Sequence, residues 1–370
     1  MTEFYDRYYP TLCVRRSEMV AAEKLPISEK QRMLPIILFS PWMNAHLFDN
    51  THERIARSFG KMPLLVDLDR TYPRYSWKKP EGQSSRIKVD RDNPAQRKFF
   101  QMLDSVDDVD DFIEIFQEHS NYIPCIQFQG KSTDAIQKQF DAFRELDRGI
   151  GLRFETTKPN SVDTVMSILK NYDAEKLCFI LDAGYINHHN IQQLQFFKYM
   201  EQVSAIIPDA QFVTVSCNFP NDFTDIDDFE TIPIEAREVH RLVQTQTNYR
   251  VYYGDWGSTK PRNVDGFGSP PLPRIDFPTQ RSWIIARSKS LNWGFSEAAA
   301  QITRLGEWET RPNIWGADLV ERTALGLPDN IYNSNLSIAA RINMHLFIQN
   351  NYGSTRLSDI DTTEPWIDPA

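Results

Sequence analysis

Asp67 and Asp69 stand two residues apart in the run "MPLLVDLDR" (62–70), a spacing that puts both carboxylates on one face of an extended chain. Further acids close comparable apolar runs: Glu155 in "GIGLRFET" (149–156), Asp182 in "LCFILDAG" (177–184) and Asp255 in "RVYYGDWG" (250–257). Carboxylates that converge from several strand ends can do two kinds of chemistry. They can hold Mg²⁺ or Mn²⁺ through oxygen, and Asp67, Asp69, Glu155 and Asp182 are the candidate metal ligands. Without a metal, a pair can divide general acid and base roles, and Asp255 joins those four as a catalytic candidate. Arg15 and Arg153 offer forked donors suited to a phosphate or carboxylate on a substrate. Gln127, Gln129, Ser216 and Asn218 are expected on the same inner face, with Thr214 beside them, and Arg287 is a further substrate-binding candidate.

Each of these has a plain structural alternative. The charges can form an internal layer of ion pairs, with Arg153 satisfying Glu155 or Asp182. His188 and His189 in "DAGYINHHN" suit a general base or metal ligand, but a solvent-exposed helix start accounts for them as well. Asp318, Arg341 and His345 lie in amphipathic stretches, "WGADLVERTA" and "ARINMHL", and read as structural.

The elements that must position the acids follow a regular alternation. Eight β-like runs, at 11–16, 34–41, 62–69, 122–129, 149–156, 177–184, 211–218 and 250–257, are separated mostly by helix-like stretches. Several of those stretches open on Ser, Thr, Asn or Pro, the residue types that start helices, and Ser17 is the expected cap of the first. Strands joined by such helices are parallel, and eight units in this length predict an α/β fold, a TIM-like (β/α)₈ barrel. A doubly wound open sheet is the alternative.

In the barrel, Leu64, Val66 and Leu68, Ile126 and Phe128, and Leu152 and Phe154 face the outer helices, and the acids face inward near the C-terminal end, where barrels build their sites. A long insertion, 70–121, follows the third strand, with an acidic segment "DSVDDVDDF" at a helix start. A Pro- and Gly-rich loop spans 258–280, and a ninth strand-like run, 282–288, is expected to pair at an edge or line the mouth. A C-terminal helical extension completes a single unit over 1–350, and 351–370 reads as a poorly ordered tail.

With a formal net charge of -9 and a pI near 5.4, the chain lacks the positive field that bulk nucleic-acid binding needs. No run of 18 apolar residues and no basic–apolar start is present, so neither a membrane span nor a signal peptide is expected, and the cytoplasm is the expected location. Cys13, Cys125, Cys178 and Cys217 are far apart, inside strand-like runs, and read as reduced core residues. The phosphate-loop, dinucleotide, HExxH, GxSxG and CxxC signatures are missing, which argues against an ATPase or a Rossmann oxidoreductase.

The segments "YYPTLCVRRSEMVAAEKL", "LPIILFSP", "LLVDLD", "GIGLRFE", "WGADLVERTALG" and "ARINMHLF" resemble, in order and spacing, the phage-type Beta protein family. The resemblance spans nearly the whole chain. It implies an origin in bacteria and their phages, and an association with mobile-element or phage-conflict cassettes. It assigns no reaction and no site residue. The residues themselves point to a metal-assisted hydrolase of a phosphate-containing or nucleotide-like substrate at the barrel mouth. The alternative is a non-catalytic interaction protein of a phage-conflict or defence system, meeting a protein partner through the basic and aromatic part of 70–121.

Overall fold

The computed structural model describes residue 4 and residues 7–72, 92–157, 162–170, 172, 174–187, 195–220, 222–261 and 272–362. The strands in chain order are β1 (Tyr9–Cys13), β2 (Ile36–Phe39), β3 (Leu64–Leu68), β4 (Tyr122–Pro124), β5 (Ile150–Glu155), β6 (Leu177–Tyr185), β7 (Gln211–Cys217), β8 (Asp228–Pro233), β9 (Arg250–Asp255), β10 (Ile275–Pro278) and β11 (Ser282–Arg287). Eight of them form one parallel sheet in the order β4-β3-β2-β1-β9-β7-β6-β5. Its two ends meet at a parallel bridge between Cys125 and Gly151, where Ile126 N donates to Gly151 O at 3.0 Å. The fold is the expected (β/α)₈ barrel.

Space inside the barrel decides two glycines. A Cβ on Gly151 would lie 2.6 Å from Cys125 Sγ and 3.0 Å from Leu65 Cδ2, and one on Gly254 would lie 2.8 Å from Tyr9 O. The lower interior is therefore small and apolar, and all four cysteines are buried and free of disulfides.

The helices are α1 (Arg16–Glu23), α2 (Ile27–Gln31), α3 (Asp49–Phe59), α4 (Pro94–Asp104), α5 (Asp110–Glu118), α6 (Thr133–Glu145), α7 (Val162–Leu169), α8 (Phe196–Ser204), α9 (Glu235–Gln246), α10 (Phe295–Ile302), α11 (Trp315–Ala324) and α12 (Ser334–Asn350). Local chemistry explains several starts: Asn93 accepts from Gln96 N, Ser132 from Ala135 N and Asn333 from Leu336 N. In α3 the buried Thr51, His52, Ile55, Ser58 and Phe59 fall on one stripe against the barrel. Among the described residues no helix is long and apolar enough to cross a membrane.

α12 belongs to the ring of outer helices although 78 residues of chain (256–333) separate its start from the end of β9 at Asp255. It is buried around nearly its whole circumference and lies between α1 and α9: Asn343 Nδ2 donates to Ala21 O at 2.9 Å and Arg237 Nε to Gln349 Oε1 at 2.7 Å. It is thus the helix that covers the last barrel strand. The expected C-terminal extension therefore contains a helix of the barrel itself.

The chain between β9 and α12 adds β10, β11, α10 and α11, and its two strands join β8, from the connection between β7 and α9, in a three-stranded antiparallel sheet in the order β10-β11-β8. The ninth run is the middle strand of that separate sheet, paired with two strands the sequence did not reveal. β8 is exposed along its length and β10 lies inside the Pro-rich loop, so neither shows a clean alternation. β1 ends at Cys13, two residues short of Arg15, and β4 ends at Pro124, short of Gln127 and Gln129. Ser17 is inside α1, whose N-cap is Arg15. The insertion carries α4, which the sequence did not reveal, and α5, which starts in the acidic segment.

Two predictions concern this frame. Gly151→Ala should lower the free energy of unfolding by about 1–3 kcal/mol in urea titrations, because the new methyl has no room at the barrel seam. An unchanged midpoint would show that the seam yields. Burial pushes His52 and His240 from 6.5 down to about 3, with His119 adding to the effect on His52 and Arg237 to that on His240. The unfolded chain therefore binds protons that the folded chain refuses between those values, so stability is full above pH 6.5 and falls as pH drops towards 3. The thermal midpoint should fall between pH 7 and 4, and His240→Gln should flatten that fall by about one proton's worth of slope.

Candidate functional site

In a parallel ladder, paired residues share a face, so the register sorts inside from outside. Leu38 pairs with Asp67, Glu155 with Asp182, and Asp182 with Val215, which puts Asp67, Arg153, Glu155 and Asp182 inside the barrel near its C-terminal end. Asp67, Arg153 and Asp182 are each no more than 2% exposed.

Arg153 occupies the centre of this layer. Its Nε and Nη2 donate to Asp182 Oδ2 at 2.9 and 2.7 Å, its Nη1 donates to Asp67 Oδ2 at 2.9 Å, and Glu155 Oε1 stands 3.8 Å from Nη2. Burial alone would pull the guanidinium down, but Asp182, Asp67 and Glu155 hold it well above its ordinary value. The remaining oxygens of both aspartates are also occupied. Asp67 Oδ1 accepts from Leu68 N at 2.8 Å and Gln127 Nε2 at 2.6 Å, while Arg70 Nη1 lies 3.4 Å from Oδ2. Asp182 Oδ1 accepts from Gly184 N at 2.8 Å and Trp256 Nε1 at 3.0 Å. Gly184 has φ +63°, which lets the chain turn so that its N–H aims back at the carboxylate.

This arrangement bears on the metal. An ion between Asp67 and Asp182 would have to displace Arg153, and N–H donors already fill the carboxylate oxygens. Among the described residues no group of three or more His, Cys, Asp or Glu is arranged to hold an ion. The residues as they stand do not fit Mg²⁺ or Mn²⁺.

The rim above the layer is built from Asp69, Arg15 and Arg70. Asp69 is buried and accepts from Thr71 N at 3.0 Å and Thr71 Oγ1 at 2.5 Å. Arg15, at the start of α1, reaches over to Lys260 O at 3.3 Å and has Glu18 Oε2 at 3.6 Å from its Nε. Cys13, Glu18 and Asp69 raise its pKa against the effect of burial, and its buried Nε and Nη2 donate no hydrogen bond among the described residues. Gln129 is half-buried in the turn after β4.

Other candidates lie elsewhere. Ser216 pairs with Asp255, and Thr214 with Tyr253, so these residues are on the outer face, opposite to the one expected. Thr214 Oγ1 meets His240 Nδ1 of α9 at 2.9 Å, and Asn218 joins Pro233 O and Glu235 N at 2.8 and 3.0 Å, fixing the start of that helix. Asp255 accepts from Tyr8 and Tyr253 hydroxyls at 2.5 and 2.8 Å and from Gly257 N at 2.7 Å, and meets His345 Nε2 at 2.8 Å. Burial raises its pKa, but His345 and these hydrogen bonds outweigh that and hold it below the usual carboxylate range. It ties β9 to α12 and does not face the charged layer. Arg287 ends β11 in the small sheet, and His188 and His189 lie outside the described residues.

Sequence reasoning missed Arg70 and Trp256. Arg70 was read as the first residue of the insertion, although it follows Asp67 by three positions at a strand end. Trp256 shares parity with Gly254, so choosing that parity in "RVYYGDWG" would have put Trp256 inside and Asp255 out.

An eight-stranded parallel barrel ringed by helices and closed by a charged layer defines a (β/α)₈-barrel protein. Residues 8–350 match the family model described as Beta protein, and the chain belongs to that family, the one its segments resemble. The protein named Protein beta of Enterobacteria phage P4 is 24% identical over 349 residues, covering 92% of this chain and 91% of the phage protein.

Replacing Arg153 by Met should destabilise the fold by roughly 3–5 kcal/mol in urea unfolding, because Asp182 would be left buried without a counter-charge and Asp67 with only Arg70 at 3.4 Å. Combining Arg153→Met with Asp67→Asn and Asp182→Asn should recover part of that loss. A single variant as stable as the parent would show that the layer is not held by its charges.

Proposed function

We propose that the protein is a barrel-mouth enzyme acting on a phosphate-bearing small molecule by metal-free acid–base chemistry. The observation that carries this reading is Arg15, whose Nε and Nη2 are buried at the mouth and make no hydrogen bond among the described residues, with the Glu18 carboxylate 3.6 Å from Nε. A guanidinium in that state suits an incoming oxyanion. Arg15 and Arg70 hold the anion on either side of Asp69. Glu155 and Asp69 are the carboxylates at the level where a bound substrate sits, and one of them takes a proton from the attacking water. Asp67 and Asp182 do not react; they hold Arg153, and through it the floor on which the substrate rests. The location supports the reading, since barrels of this type place their chemistry at the C-terminal strand ends. Hydrolysis is the reaction class such a set promotes.

The test is turnover of p-nitrophenyl phosphate and bis-p-nitrophenyl phosphate in chelator-treated protein. Glu155→Gln should lower kcat by about 10²-fold or more, and Arg15→Gln should chiefly raise KM, with folding checked by circular dichroism. If the parent turns over neither ester, or Arg15→Gln and Glu155→Gln change nothing while folded, the reading falls. The interaction reading then gains. Its support is that Met43 and Leu47 are more than half exposed in the loop that meets the start of α4, where Asn93 Nδ2 donates to Ala45 O at 2.9 Å.

A further inference from the structure

A groove of about 550 Å³ opens on the flank of the barrel, between the end of α1 and the start of α11. Arg15 is the N-cap of α1 and Lys24 its C-cap, so the groove lies at the far end of that helix from the mouth. Its volume is in the range of small-molecule sites, roughly 300–1,000 Å³. Leu25, Ile314 and Ala317, each no more than 6% exposed, give it an apolar floor.

One aromatic ring lines the groove, that of Trp315 at the first position of α11. The indole is half-buried and packs against the core. Every other described tryptophan gives its ring to a partner: Arg54 lies over Trp42 and Arg153 over Trp256, while Phe219 packs on Trp283, Phe229 on Trp293 and Phe277 on Trp308. Trp315 has no ring or cation partner among the described residues, and its Nε1 makes no hydrogen bond there. The free part of the ring therefore belongs to the groove.

The charges around the ring balance. Arg311 Nη2 lies 2.5 Å from Glu321 Oε1, which also accepts from Trp308 Nε1 at 3.2 Å. Lys24 on one wall and Asp318 on the other are exposed, and neither makes an ion pair among the described residues. Asn313 and Thr362 complete the polar rim, with Asn313 Nδ2 donating to Ser358 O at 2.8 Å and Thr362 Oγ1 to Asn313 O at 2.7 Å. Those bonds use a donor on each and leave the Asn313 Oδ1 and Thr362 Oγ1 lone pairs as acceptors. The rim thus presents a donor-only group, an acceptor-only group and two further acceptors around one apolar ring, with two cations set against two anions.

We propose that this groove binds a neutral saccharide, with one pyranose ring laid on Trp315. The flat C–H face of a pyranose is apolar and weakly positive, which suits the negative face of an indole. Its hydroxyls both donate and accept, so they can meet Lys24, Asp318 and Asn313 together. A balanced set of charges favours no net charge on the ligand. A proline-rich segment, the other occupant such a ring could take, docks in grooves lined by several aromatic rings, and Trp315 is the one described ring here. The groove shares no residue with the mouth, so either site can fail without the other.

The experiment is saturation-transfer NMR on the full chain with maltose, cellobiose, lactose and diacetylchitobiose. At least one sugar should show transfer to its pyranose C–H protons. Trp315→Ala should weaken its affinity about fivefold or more, and Trp293→Ala, at a tryptophan outside the groove, should leave it within about twofold. Circular dichroism establishes that each variant folds. Should Trp315→Ala fail to fold, Asp318→Ala changes an exposed side chain, and a several-fold loss of affinity in it supports the site. Absence of transfer to all four sugars overturns the proposal, as does parent-like binding by folded Trp315→Ala or, where that variant fails, by Asp318→Ala. Transfer to heptaproline but to no sugar makes the groove a peptide dock and overturns it as well.

Discussion

Arg153 is the interaction on which the interior depends. Three carboxylates, from β3, β5 and β6, point into one barrel, and without a cation at their centre they would repel one another in a medium that screens poorly. The guanidinium spans the barrel from Asp67 to Asp182, and Trp256 and Gln127 fill the acceptor sites it leaves. Three of the barrel strands, β3, β5 and β6, are linked through this one layer, along with Gln127 beyond the end of β4 and Trp256 just past β9.

The second constraint is the closing of the outer ring. The last strand meets its covering helix only after two strands of a separate sheet and two helices have been inserted, so no local signal holds the two together. A buried contact between Asp255 and His345, with Tyr8 and Tyr253 on the same carboxylate, does so across that gap. Placing a carboxylate on the outer face is tolerable because its oxygens are met by Tyr8 just before β1, Tyr253 of β9, Gly257 just after it and His345 of α12.

Much of this architecture was legible in the chain. Alternating runs and helix starts marked the eight barrel strands and their parallel order, because period-two burial in a strand and a capped amphipathic helix are local properties. Asp67, Arg153, Glu155 and Asp182 were picked out for the same reason: each is a charge at an inward position of a clear apolar run. Asp255, Thr214, Ser216 and Asn218 were assigned the wrong face because "QFVTVSC" and "RVYYGD" are buried on both sides, and a strand buried on both sides has no polar face to set its parity. β8 and β10 were invisible because a short exposed strand and one among prolines lack any such pattern.

The sequence by itself determined that this protein is a parallel barrel of the Beta protein family with acids near one end, since segment order, spacing and hydrophobic period do not need the fold to be seen. Only the tertiary structure decided which acids meet. Distances between strands far apart in the chain depend on register and barrel closure, and these put Arg153 between Asp67 and Asp182 and turned Asp255 outward to His345.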